Sequence, residues 1–302
     1  MAVRNSSRIL VSGASGPIGA ALLPSLTARG HQVTRLVRGV ASGERQIPWD
    51  PAKPLAAESV SGFDAVIHLA GETIVGRWTE TKKKKILESR VQGTQGLARA
   101  LAQARERPAV LVTASAIGYY GNRGDEVLRE ESEPGKDFLS EVCRQWEAAS
   151  EPAVKAGIRT VQMRTGLVLS SHGGALQKML LPFRLGLGGN IGNGRQWWSW
   201  IHVQDWVGAL QHVLKTDLLH GAVNVVAPKP VTNAEFTKTL AAVLSRPAIF
   251  PVPVFAAHLL FGQMADELLL ASQRVEPTKL ISSGYPFQYS DLIRALGAIL
   301  KK

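Results

Sequence analysis

The chain has 302 residues, an apolar fraction of 45%, a formal charge of +11 and a single cysteine, Cys143. One cysteine excludes an internal disulfide, and no apolar run approaches the roughly 20 residues that cross a bilayer. Basic residues are scattered apart from Lys82–Lys85, without the interleaved aromatics that stack bases. That lysine run reads as a solvated helix face, so neither nucleic acid nor membrane is expected as a partner. With no apolar signal core ahead of the first strand, the expected location is cytoplasmic.

Residues 9–19 read Ile-Leu-Val-Ser-Gly-Ala-Ser-Gly-Pro-Ile-Gly, a buried strand running into Gly13, Gly16 and Gly19. An amphipathic helix follows to about Arg29. Glycine serves where φ is positive and where backbone approaches a ligand, and the helix start offers unpaired N–H groups to a pyrophosphate. With Ser15, Pro17 and Ile18 in the same turn, this is a candidate dinucleotide cradle. The second strand, His31 to Val37, decides which dinucleotide. An NAD site normally places an acid about 20 residues past the first glycine, whereas arginine there suits a 2′-phosphate. This chain has Arg35 and Arg38 and no acid until Glu44, which favours NADP(H).

Strand and helix patterns then alternate. Ala65–Ala70 is a strand followed by Gly71, and Thr81 to about Arg105 a long helix. Val110–Ala114 is a strand, Glu141–Ala156 a helix and Thr160–Leu169 a strand. Such alternation implies an α/β fold, a doubly wound parallel sheet whose ligands bind beyond the carboxyl ends of the strands. The informative loops therefore start at Gly13, Arg38, Gly71, Ser115 and Gly166. Residues 185–200 set glycines against three tryptophans and read as a structured loop or hairpin over a cleft. Helices are expected over 205–214 and 233–244, with a short strand at 222–226. The expected organisation is an NADP-binding core over 7–170, with segments of about 200–228 returning to it. Substrate-cleft segments span 171–250, and a helical domain spans 251–302.

Several stretches in order carry a family resemblance: Gly13–Gly19, His68-Leu-Ala-Gly-Glu72, Ser115–Gly121, Phe138–Glu147, Arg164–Leu169, 180–194, Ser199–Asp205, Asn224–Pro228 and Gln273–Pro277. The chain resembles the extended short-chain dehydrogenases/reductases, within an atypical epimerase-like branch carrying a C-terminal domain of unassigned role. The resemblance implies a Rossmann-like core, NADP(H) as cofactor, a cleft under a C-terminal lobe, and pairing of two core helices in a homodimer. It implies cofactor contacts from Gly13, Ser15, Gly16, Pro17, Ile18, Gly19, Arg35, Arg38, Leu69, Ala70, Gly71, Arg90 and Ser115.

The departures matter as much. The superfamily uses a Tyr-x-x-x-Lys pair, with the lysine lowering the tyrosine pKa. Here Leu139 and Cys143 stand in those places, the usual Ser is Ala116 beside Ser115, and Arg90 replaces an Asn. The sugar-nucleotide Arg is Trp198, with Arg184 or Arg195 as substitutes. The remaining candidates for acid/base chemistry are Tyr120 and Glu72, the latter alternatively a partner of Arg77. Tyr119, Arg164, Trp200 and His202 are candidate substrate contacts, and no metal site is expected. Two functions follow as expectations: an NADP(H)-dependent oxidoreductase or epimerase-like enzyme acting on a small molecule, or a non-catalytic NADP(H)-binding sensor.

Overall fold

A computed structural model describes residues 6–171 and 173–300. Seven strands form one parallel sheet: β1 (Arg8–Ser12), β2 (Gln32–Val37), β3 (Gln46–Pro48), β4 (Ala65–His68), β5 (Val110–Ala116), β6 (Arg159–Thr165) and β7 (Gly221–Val225). They lie in the order β7-β6-β5-β4-β1-β2-β3. The chain reverses its direction of growth at β1, between β2 and β4, and a crevice opens there at the carboxyl edge. Ile9, Leu10, Val11, Val66 and Ile67 are fully buried, as expected of strands covered on both faces.

Helices α1 (Pro17–Ala28), α2 (Glu80–Gln103), α3 (Phe138–Ala148) and α4 (Glu151–Lys155) return the chain between the strands. The single helix expected over 141–156 is two helices. Pro152 has no N–H to continue the first and sits comfortably in the first turn of the second. The expected strand at 160–169 also breaks, into β6 and a piece at Leu167–Leu169. At Gly166 between them, a Cβ would lie 2.4 Å from the Ser199 carbonyl oxygen.

Beyond the sheet come α5 (Gly174–Arg184), α6 (Val203–Lys215), α7 (Asn233–Leu244), α8 (Val254–Phe261), α9 (Thr278–Ser282) and α10 (Leu292–Leu300). One core lies between the sheet and α1 with α6, the opposite core beneath α2 and α4. A third apolar cluster joins α5, α7 and α10 around Trp198, Trp200 and Phe236. The tryptophan-rich stretch is divided: Trp197–Trp198 pairs with Val231–Thr232, and Trp200–His202 pairs with Leu167–Leu169. The C-terminal segment also contributes a strand, Arg274–Val275, laid beside Val127–Leu128.

Candidate cofactor cleft

The glycine turn closes β1 onto α1 by steric necessity. Gly13 has φ +71°, and a Cβ there would lie 2.5 Å from the Leu69 carbonyl carbon and 2.6 Å from the Ala70 nitrogen. A Cβ on Gly19 would lie 2.6 Å from the Gly13 and Ala14 oxygens. The backbone of Leu69 and Ala70 is thereby one wall of the turn. Gly16 caps α1 without a side-chain hydrogen bond, Pro17 opens the helix, and no acid stands in its first turn. The N–H groups of Ile18 and Gly19 therefore face outward with the positive end of the helix dipole. Ser15 is exposed on the same turn.

A second helix start meets the first. Gly173, at the head of α5, has φ +99°, and a Cβ there would lie 3.2 Å from Pro17 Cγ. No side chain caps α5, and its first turn carries no acid. The Gly173-Gly174 pair ahead of an apolar helix is the signal for this in the sequence, but nothing there brings the two termini together.

Arg38 is exposed just past β2, and Arg35 is half-buried in β2 opposite Val11. Neither forms an ion pair among the described residues. Glu72 follows β4, and its carboxylate accepts from Lys82 Nζ at 2.7 Å rather than from Arg77. That hydrogen bond holds the Glu72 carboxyl below its usual range, and the charges of Lys85 and Arg38 act the same way. Glu72 thus belongs with the cations at the β2 end of the crevice, as an ionised, paired group.

Gly71 makes room for Arg90: a Cβ there would meet its guanidinium carbon at 3.4 Å. Arg90 Nη1 donates to the carbonyls of Glu72 at 2.9 Å and Ile86 at 3.1 Å. The guanidinium lies 4.9 Å from the Trp146 ring centroid. Burial lowers its pKa, against the influence of Cys143 and Glu72. Nearby, Ser12 Oγ and His68 Nδ1 are 2.6 Å apart, and burial pushes the His68 pKa down to about 4.

At the end of β5 the polar groups are committed to one another. Ser115 donates to Glu147 Oε1 at 2.6 Å, and Glu147 holds Arg164 through two bonds of 2.9 Å. Arg164 Nη1 donates to the Tyr120 hydroxyl at 3.0 Å, and Tyr120 donates to Asn224 Oδ1 at 2.6 Å. Burial disfavours the Arg164 charge, but the Glu147 carboxylate outweighs it and raises the pKa.

Four of the candidate side chains lie buried. Tyr120 is fully buried, and burial pushes its phenol up to about 12. Arg164, 4% exposed, is the other half of that network. Trp200 lies in the core with its indole N–H donated to the Lys229 carbonyl at 3.1 Å. His202 caps α6, accepting the Gln204 N–H at 3.1 Å, and stacks on Tyr289 at 3.9 Å. Burial lowers its pKa to about 4. Tyr119 remains half-buried with its ring 3.4 Å from the Arg164 guanidinium carbon. Cys143, where the lysine would stand, is a buried thiol pushed up to about 12 by burial, with Glu147 adding to the shift. Among the described residues no three His, Cys, Asp or Glu side chains group as metal ligands.

Residues 9–226 match the NAD dependent epimerase/dehydratase family, and residues 252–299 match a domain of unknown function, DUF1731. The chain belongs to the NAD dependent epimerase/dehydratase family. It is 41% identical to epimerase family protein SDR39U1 of Homo sapiens, over 97% of this chain and 99% of that protein. It is 38% identical to epimerase family protein YfhF of Bacillus subtilis, over 97% of each. The crystal structure of human SDR39U1 (isoform 2) with NADPH superposes with a TM-score of 0.90 at 40% identity, covering 98% of this chain and 99% of that one. A nucleoside-diphosphate sugar epimerase from Corynebacterium glutamicum superposes at 0.83 and 38% identity, this chain spanning 58% of it. The epimerase family member described here thus has a Rossmann-like core with the DUF1731 segment at its C-terminal end.

Proposed function

We propose that this epimerase family protein binds NADP(H) in the crevice between β2, β1 and β4 and uses it in hydride transfer with a small molecule. The carrying observation is the pairing of a sterically enforced glycine cradle with Arg35 in β2 and Arg38 just past it, neither of which forms an ion pair among the described residues. The pyrophosphate would lie on the N–H groups of Ile18 and Gly19, beside the head of α5. Arg38, with Arg35 behind it, would hold the 2′-phosphate. Leu69, Ala70 and Gly71 give a backbone wall for the adenosine half, and Arg90 and Ser115 stand towards β5. The NADPH-bound human relative supports this reading. When bound, the cofactor supplies or takes a hydride, while the chain binds and orients.

A second reading, cofactor binding without turnover, is favoured by the committed polar groups: Ser115 and Tyr120 are spent on Glu147, Arg164 and Asn224. The two readings separate in one assay. NADPH oxidation is followed by absorbance with panels of aldehydes, ketones and sugar nucleotides. Substrate-dependent oxidation supports the enzyme. Tight binding with no oxidation across the panel supports the sensor, and no binding of NADPH defeats both.

A further inference from the structure

Nine of the fifteen large apolar side chains that stand exposed among the described residues fall in two segments, 181–187 and 249–260. The two meet in space. Phe250 N–H donates to the Gly188 carbonyl at 3.1 Å and Val252 N–H to the Asn190 carbonyl at 2.7 Å. A Cβ on Gly186 would lie 3.5 Å from Pro247 Cγ, which sets 184–187 beside 246–248. Leu185, Leu187, Ile249 and Phe250 therefore stand exposed on two adjoining segments. Phe255 and Leu259, one turn apart on α8 and each 73% exposed, follow a few residues further along the second. A helix as apolar as α8 ordinarily has its whole circumference covered, and a concentration of exposed apolar side chains marks an interaction site.

The charges within these segments are predominantly cationic. Residues 173–200 and 236–265 contain Lys178, Arg184, Arg195, Lys238 and Arg246, all exposed, and no Asp or Glu. The acids at their margin are Asp266, bonded to His258 at 2.7 Å, Asp125, which lines a pocket with Val254 and Arg195, and the exposed Glu235. Face-to-face pairing of two copies would bring these cations together, whereas an anionic surface complements them. Apolar groups rimmed by Lys and Arg are the pattern of proteins lying on anionic bilayers. We propose that these adjoining segments dock on an anionic lipid surface, with Phe250, Phe255 and Leu259 entering the headgroup layer and Arg184 and Arg246 against lipid phosphates. The docking is peripheral, since among the described residues no helix is long and apolar enough to cross a membrane. It revises the expectation of no membrane partner, because the patch exists only once residues some 60 apart in sequence are folded together.

The test is co-sedimentation of the full chain with phosphatidylcholine vesicles, with and without phosphatidylglycerol. Binding is expected only where phosphatidylglycerol is present. Arg184→Gln with Arg246→Gln is expected to weaken it about thirtyfold, at about 1 kcal/mol per cation. Phe255→Ser with Leu259→Ser is expected to weaken it by about tenfold or more. Each variant should keep wild-type NADPH affinity, which separates lost docking from misfolding. No binding, equal binding to both vesicles, or binding that survives both double variants would overturn the proposal. So would a dimer in light scattering that the Phe255→Ser/Leu259→Ser variant dissociates without any vesicle binding, since these segments would then dock on a second copy.

Discussion

Gly13 shows how much a single side chain decides. Its positive φ and the 2.5 Å separation that an added methyl would have from the Leu69 backbone leave nothing flexible to move aside. Gly13→Ala is expected to destabilise the fold by about 1–3 kcal/mol and to abolish NADPH binding, read by chemical denaturation and by titration. Tyr120→Phe tests the opposite kind of residue. Deleting a hydroxyl that serves Asn224 and Arg164 leaves both partners short of a bond and should cost about 1–3 kcal/mol. NADPH affinity should stay at the wild-type value. Loss of turnover with unchanged stability would instead make Tyr120 a catalytic residue. Cys143, a neutral buried thiol, should resist maleimide in mildly alkaline buffer until denaturant is added. The glycines are legible in sequence because their spacing reports backbone geometry directly. The burial of Tyr120, Arg164, Trp200 and His202 is not, because the same residue types serve cores and sites alike.

Elements are legible where pattern and local chemistry agree. Thr79 caps α2, and Asp137 caps α3, each by accepting a backbone N–H from inside the first turn. Periodicity finds such helices, but it runs past Pro152 and Gly166, where a missing N–H and a missing Cβ each set a boundary. The cap on α6 carries a pH prediction. His202 titrates near 4 in the fold against 6.5 unfolded, and His68 behaves alike. Between those values the unfolded chain binds protons that the folded one does not, so stability falls as pH drops from about 6.5 towards 4. Each histidine contributes up to about 3 kcal/mol to that loss. His202→Asn keeps a capping side chain and removes the titration, so its melting temperature should decline less steeply over this range. An identical slope in the variant would show that His202 does not hold its proton off in the fold.

Across the whole molecule, the order of strands places the ends of β2, β1, β4 and β5 along one edge, and the alternation of strand and helix patterns implies that arrangement. What alternation cannot supply is the meeting of distant pieces: the head of α5 against Pro17, Glu267 of the C-terminal segment accepting the Leu139 N–H at 2.8 Å, and the exposed apolar segments near 185 and 250 brought side by side. An open groove of about 980 Å³ between α1 and α6 is lined by Arg29, Gln211, His212 and Lys215 among others, and none of the cradle residues borders it. That groove lies apart from the proposed cofactor site. The cradle and Arg38 locate that site, and the deciding measurement is the affinity of the protein for NADPH and NADH, with and without Arg38→Ala. The account predicts NADPH preference in the wild type and its collapse in the variant, with NADH affinity little changed. Equal affinity for both cofactors, or a preference that survives Arg38→Ala, would contradict it.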